Sequence, residues 1–371
     1  MEQREDAAQP RKSRTEGRVG RRPRAGAAAG VRDARSARSR RAGAIIAVGV
    51  VLLVAAVAAS LMLGRYPIQP HEALCMLADK VVPLDRFWTD QQEALFFNVR
   101  LPRILLAMLI GCALAAAGAA YQGTFQNPLA APDILGAQQG AAFGAAVAIL
   151  AGFSAAGVSA VAFAVSMATV FLVLAISGRV KGNRILTVVL AGIMISMLFQ
   201  AGVSATKLVA DPTDQLPAIT YWLMGSLTGA KVSDVQMVVG PIAVGSAVLL
   251  ALRWRLNVLT MGDDEAATMG VNVKLVRVVV MVAATLVVAA SVSVSGMISW
   301  IGLVIPHIAR MLVGPDFRKL MPASMIYGAL FLVVVDDIAR LATTAEIPIG
   351  ILTAFVGAPF FLYLIMQGRR A

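Results

Sequence analysis

Apolar runs of about 20 residues recur from residue 44 onward, each closed by a short polar break that often holds glycine or proline. A run of that length crosses roughly 30 Å of hydrocarbon as a helix. The pattern predicts about ten spans: 44–64, 101–122, 137–153, 158–178, 185–207, 235–253, 275–293, 296–312, 320–341 and 350–367. Short alternating segments, the mark of a membrane barrel, dominate nowhere. The expected fold class is an all-α membrane protein, with a tail at 1–43 and a ten-helix domain at 44–371.

Composition agrees with that class, since 58% of the residues are hydrophobic and only 15% charged, against about 25% charged in soluble domains. The net charge of +12 is local: residues 1–41 hold 13 Arg/Lys and 5 Asp/Glu, so they supply +8 of it. This tail has no apolar periodicity and is expected to be disordered. It lacks the aromatic side chains that stack on nucleic-acid bases, so it is read as a cytoplasmic determinant lying against the lipid bilayer, with no nucleic-acid partner. An SRR at 39–41 hints at a twin-arginine signal. The run behind it, however, is longer than a signal h-region and is read as an uncleaved first span.

Ten spans starting from a cytoplasmic tail return the C-terminus to the cytoplasm. Beyond the tail this topology puts 12 Arg/Lys inside and 8 outside, in keeping with the positive-inside rule. Three outside residues stand out. Arg100 and Arg103 flank Pro102 where the second span begins, and Arg340 closes the ninth. An arginine at a helix start opposes the macrodipole. These residues either snorkel to lipid headgroups or dock acidic residues of an extracytoplasmic partner. Asp336, four residues before Arg340, is expected to be its orienting partner, while Asp337 leaves a proton-relay alternative open.

Residues 100–140 carry the densest signal. Gly111, Ala115 and Ala119 recur four apart on one face of the second span with Gly118 beside them, which permits close helix packing in lipid. The break QNPLAAPDILG follows. Gln122, Asn127, Pro128, Pro132 and Gly136, with Pro306 of GLVIPHIAR, are read as a pathway or structural motif near the inner mouth. The longest inner loop, at about 254–275, holds a short predicted helix at 263–269 with acids at its N-terminal end and Gly262 and Gly270 at its borders. Such a stiff cytoplasmic helix can receive force from a soluble motor.

No Gly-Lys pair exists, so no phosphate-cradling loop is encoded and any ATPase is a separate chain. His71, His307, Cys75 and Cys112 have no metal-ligand spacing. Neither catalytic residues nor a cofactor nor a metal site is expected.

The motifs RLPR, G-x-x-x-Q with QNPLAAPDILG, GDDEAATMGVN, SWIGLVIPHIARMLVGPDFRKLMP, and DDIARL with EIPIGILTAFVGAPFFLYLI occur here in one order over residues 44–368. In this they resemble the FecCD family of ABC-importer permeases for ferric siderophores, haem and cobalamin. The resemblance implies a multi-pass protein of the bacterial cytoplasmic membrane with type II importer architecture. It also implies a second permease subunit, cytoplasmic ABC ATPase subunits and an extracytoplasmic substrate-binding protein. By the same resemblance Arg100, Arg103 and Arg340 dock that binding protein, and Gly262, Asp263, Asp264, Glu265, Ala266 and Gly270 belong to the loop seated in the ATPase. The E-A-A-x-x-x-G pattern of another importer class is not met, because Gly270 comes one residue early. Alternating access with a ferric siderophore as cargo is the expected function. Cobalamin or haem is the alternative within the family, and a proton-coupled secondary transporter using Asp336 and Asp337 is the alternative outside it.

Overall fold

The computed structural model describes residues 25–368 apart from 65, 67, 81, 83–85 and 181–183. Among these, every regular element is helical: α1 (Ala25–Met62), α2 (Pro70–Asp79), α3 (Asp90–Leu95), α4 (Leu101–Thr124), α5 (Ala137–Leu150), α6 (Ala155–Arg179), α7 (Arg184–Val209), α8 (Gln215–Met224), α9 (Val232–Leu259), α10 (Asp263–Thr268), α11 (Val273–Ser295), α12 (Ile301–Val313), α13 (Phe317–Leu341) and α14 (Ile349–Gly368). The chain divides into two units, Met1–Arg41 and Ala42–Ala371. In the first, helix begins at Ala25, so residues 25–43 are helical where disorder was expected. Alanine and arginine are strong helix formers, and that preference offsets the lack of an apolar face. Residues 1–24 of the tail lie outside the described residues.

In the second unit each predicted span coincides with one helix. Seven described helices are long and apolar enough to cross a membrane, and three apolar helices are shorter: Ala137–Leu150, Ile301–Val313 and Ile349–Tyr363. The span expected at 296–312 starts later, at Ile301. Gly296 (φ 67°) and Trp300 (φ 74°) take left-handed conformations that helix cannot continue through. Three short helices, α2, α3 and α8, follow no long apolar run, and the sequence pattern did not announce them.

Burial orders the helices. In the most apolar 18-residue stretch of the continuous helix Asp90–Thr124, which includes α4, 78% of the residues are buried, against 11% for that of α1 and 17% for that of α7. Helix α4 is therefore the centre, packed on α9, α11, α12 and α13, and α1 and α7 present apolar faces outward. Its small residues allow this. A Cβ at Gly111 would overlap the Gly328 carbonyl of α13, and one at Gly118 would overlap the Gly302 carbonyl of α12. Pro306 lies four residues after Gly302 and has no N–H to offer that carbonyl. The proline thus leaves the Gly302 oxygen free to face α4. Lipid supplies no hydrophobic drive between helices, so close backbone approach is what holds them.

Replacing Gly118 by Leu should therefore destabilise the detergent-solubilised protein by about 1–3 kcal/mol through overpacking, read as a lower thermal midpoint. Gly240→Leu, at a position with open space around it, should leave the midpoint unchanged. Equal midpoints for the two variants would contradict this packing.

Candidate functional site

A π-helical turn, Phe96–Arg100, leads into α4 without a break in the helix, and Pro102, which has no N–H for the ladder, follows directly after it. The added residue of the π turn directs Arg100 back toward the end of α1. Its guanidinium donates to the carbonyls of Leu61 (2.7 Å), Met62 (3.5 Å) and Tyr66. Arg103 takes a different set of partners. Its Nε donates to both carboxylate oxygens of Asp336 at 3.0 Å and its Nη2 to Oδ1 at 2.9 Å, while Nη1 reaches Glu346 at 2.9 and 3.1 Å. Arg340 donates to the Ser60 carbonyl and hydroxyl at 2.8 Å each and pairs with Asp337.

All three arginines are buried, at 4%, 7% and 9% exposure for Arg100, Arg103 and Arg340. They come from distant parts of the sequence, yet all line one notch of about 210 Å³ together with Tyr66, Val99 and Glu346. Snorkelling to headgroups does not describe this arrangement, because the cations converge on protein acceptors and on one another. Asp336 pairs with Arg340 as expected, but more loosely than with a second arginine. It grips Arg103 and lies 3.9 Å from Arg340. The carboxylate that holds Arg340 is Asp337, which also accepts a hydrogen bond from Ser60 Oγ at 2.7 Å. An i,i+4 spacing favours a pair along one helix, but Arg103 offers Asp336 a two-pronged grip from the neighbouring helix, and that geometry prevails.

At the other end of α4, Gln122 accepts from Arg310 Nη2 (2.9 Å) and donates to the Leu303 carbonyl (3.3 Å), tying α4 to α12. The chain then breaks. Gln126 adopts φ 51° and donates to the Leu259 carbonyl at 2.7 Å. The Asn127 side chain accepts from Leu129 N at 2.9 Å, a local turn that leaves Pro128 exposed. Pro132 packs against Gly302, and Gly136 (φ 77°) starts α5. Pro306 is buried within α12. These residues are brought to one end of the bundle as structural supports.

Helix α10 lies at this same end, next to α9 and α11. Gly262 (φ 123°) and Gly270 (φ 77°) border it in conformations that suit glycine. Ala266 is buried, whereas Asp264 and Glu265 are exposed. Asp263 makes a two-pronged pair with Arg277 at 2.8 and 3.1 Å. Hydrogen bonding to that guanidinium holds the Asp263 carboxyl below the usual carboxylate range. The pair pins α10 to the start of α11.

Sequence reasoning missed Glu346, Ser60, Arg277 and Arg310 as partners. The EIPIG motif contained Glu346, but nothing in its spacing points to Arg103, 243 residues away.

Among the described residues, seven long and three shorter apolar helices stand with a small-residue helix at their centre, a polar notch at one end and an exposed helical loop at the other, an arrangement that suits the membrane subunit of a transporter. Residues 52–367 match the profile of the FecCD transport family, and the chain belongs to that family. The molybdate import system permease protein MolB of Haemophilus influenzae is 39% identical over 319 residues, covering 86% of this chain and 94% of that protein. The cobalamin import system permease protein BtuC of Halobacterium salinarum is 40% identical over 284 residues, covering 76% of each. A solved structure described as an inward-facing conformation of a metal-chelate type ABC transporter superposes with a TM-score of 0.78 at 37% identity, covering 88% of this chain and 99% of that one. The protein is thus a multi-pass ABC-importer permease, a transport subunit and not itself an enzyme, of a kind that works with ATPase and binding-protein partners. Family membership does not favour the proton-coupled reading, and Asp336 and Asp337, both ion-paired, have no need of it.

The Asp336→Ala variant should lose about 3–5 kcal/mol of stability, because it leaves Arg103 buried without its main counter-charge. Thermal unfolding in detergent checks this. A loss below about 1 kcal/mol, the range of an exposed pair, would contradict the assignment.

Proposed function

We propose that this chain is the permease of a dimeric importer with both termini in the cytoplasm. A substrate-binding protein docks at the arginine notch and ATPase subunits seat on α10, and their cycle opens the pathway to one side at a time. The observation that carries this reading is the convergence of Arg100, Arg103 and Arg340 on one notch, at the end of α4 opposite α10. Charge complementarity suits docking, because it sets encounter rate and register between partners. Arg100 is the cation best suited to an acidic visitor, since it donates to the neutral carbonyls of Leu61, Met62 and Tyr66. On α10, Asp264 and Glu265 remain exposed for an ATPase surface.

A ferric siderophore is the proposed cargo. A cleft of about 590 Å³ runs beside α8, α12 and α14 and is walled by Met224, Met297, Trp300, Phe355 and Pro359. Apart from the Ser299 hydroxyl and the Trp300 indole N–H these walls are apolar, and they give a bare oxyanion such as molybdate few donors to replace its hydration. A chelate carries its metal inside an organic shell and can slide along them. The metal-chelate class of the solved relative supports the same choice. The cobalamin relative favours a second reading, cobalamin uptake, which shares the need for a wide and weakly binding path.

Proteoliposomes holding the permease with its ATPase should take up ferric siderophore from the binding protein only when ATP is supplied, and a protonophore should not stop them. Uptake that survives without the ATPase but collapses with the proton gradient would overturn the proposal. Uptake of cobalamin instead would change the cargo alone. Asp264→Lys combined with Glu265→Lys should reduce uptake by about tenfold or more, the effect of about 1.4 kcal/mol lost at the ATPase contact. Unchanged uptake would argue against the α10 assignment.

A further inference from the structure

Docking alone does not open a pathway, and a hydrogen-bond chain runs from the notch to the wall of a second cavity. Three N–H groups of Arg103 divide between two carboxylates: Nε and Nη2 serve Asp336, and Nη1 serves Glu346. Asp336 is sealed, its side chain 2% exposed, whereas that of Glu346 is 28% exposed. Glu346 Oε2 also accepts from the Thr228 hydroxyl at 2.6 Å. Thr228 is joined to Ser226 (2.8 Å) and Tyr221 (3.1 Å), and the Ser226 amide donates to the Ser295 carbonyl at 2.7 Å. Tyr221, Ser226 and Thr228 line a cleft of about 640 Å³ between the α8–α9 loop and the end of α11. Glu346 is therefore the link between the docking arginine and the loop that walls this cleft.

We propose that Glu346 is a displaceable latch. In the undocked permease it holds Arg103 with one face and the α8–α9 loop, through Thr228, with the other. An acidic side chain of the docking protein competes for Arg103 Nη1. Two carboxylates on one guanidinium edge repel, so Glu346 turns to water, Thr228 loses its acceptor and the loop is released. The inference rests on reading the notch as the docking site. It adds a positioning residue that converts docking into opening of the cavity wall.

Hydrogen exchange and binding-protein affinity, measured on the ATPase-bound transporter in nanodiscs, test the latch. Glu346→Gln weakens the internal competitor. It should tighten docking and speed amide exchange at 226–230 without the binding protein, each by about tenfold, the scale of one hydrogen bond to a charged group. Thr228→Val should speed the same exchange and, because docking no longer has to break the hydrogen bond to Glu346, should also tighten docking. In the unmodified protein, docking itself should accelerate exchange at 226–230. Arg100→Gln, which strands no carboxylate, should weaken docking and so reports on the docking reading separately. If Arg100→Gln weakens docking but Glu346→Gln neither tightens it nor speeds exchange, the latch is wrong and the docking site stands. If Arg100→Gln leaves docking unchanged, the docking reading fails and the latch with it.

Discussion

Backbone-to-backbone approach along α4 is the constraint on which the rest of this structure depends. Gly111 meets Gly328, and Gly118 meets the carbonyl that Pro306 leaves free at Gly302. In lipid, where apolar side chains gain nothing by leaving one hydrocarbon for another, such approach supplies the dispersion energy of association. Because α4 is locked between α12 and α13, its two ends become fixed reference points. Whatever stands at them is held in register with both neighbours.

One end gathers three arginines on carboxylates and carbonyls, and the other joins its helices through side-chain amides and single arginines. At the first end Arg103 and Asp336 form a buried pair whose geometry satisfies both groups. It does not need to add stability to be useful, since a buried pair mainly penalises loss of either member. What it provides is a rigid guanidinium with one edge still turned toward the partly exposed Glu346. At the second end the Gln122–Arg310 bond and the Gln126–Leu259 bond join α4 to α12 and to the end of α9. From there α10 is one turn away, pinned by Asp263 and Arg277.

Much of this was legible in the chain. Apolar run length located the seven long and three shorter apolar helices among the described residues, and the small-residue stripe of α4 foretold its close packing. The three arginines could be singled out because they break a charge rule, which is a property of position along the chain alone. Their partners were not legible. Glu346 lies 243 residues from Arg103, and Ser60 lies 280 from Arg340, and no periodicity encodes a pairing across helices. Asp336 illustrates the limit: helical spacing assigned it to Arg340, which lies 3.9 Å away, and tertiary geometry added the closer pair with Arg103 at 2.9 Å. Helix α8 and the π turn before α4 were hidden for a related reason, since each is too short to have a period of its own.

The most direct test is a cryo-EM structure of the permease with its ATPase and a docked binding protein. The account predicts carboxylates of the binding protein about 3 Å from the guanidinium groups of Arg100 and Arg103, Glu346 turned away from Arg103, and α10 enclosed by the ATPase. A binding protein seated on another part of the surface, with the Arg103–Glu346 pair intact, would contradict it.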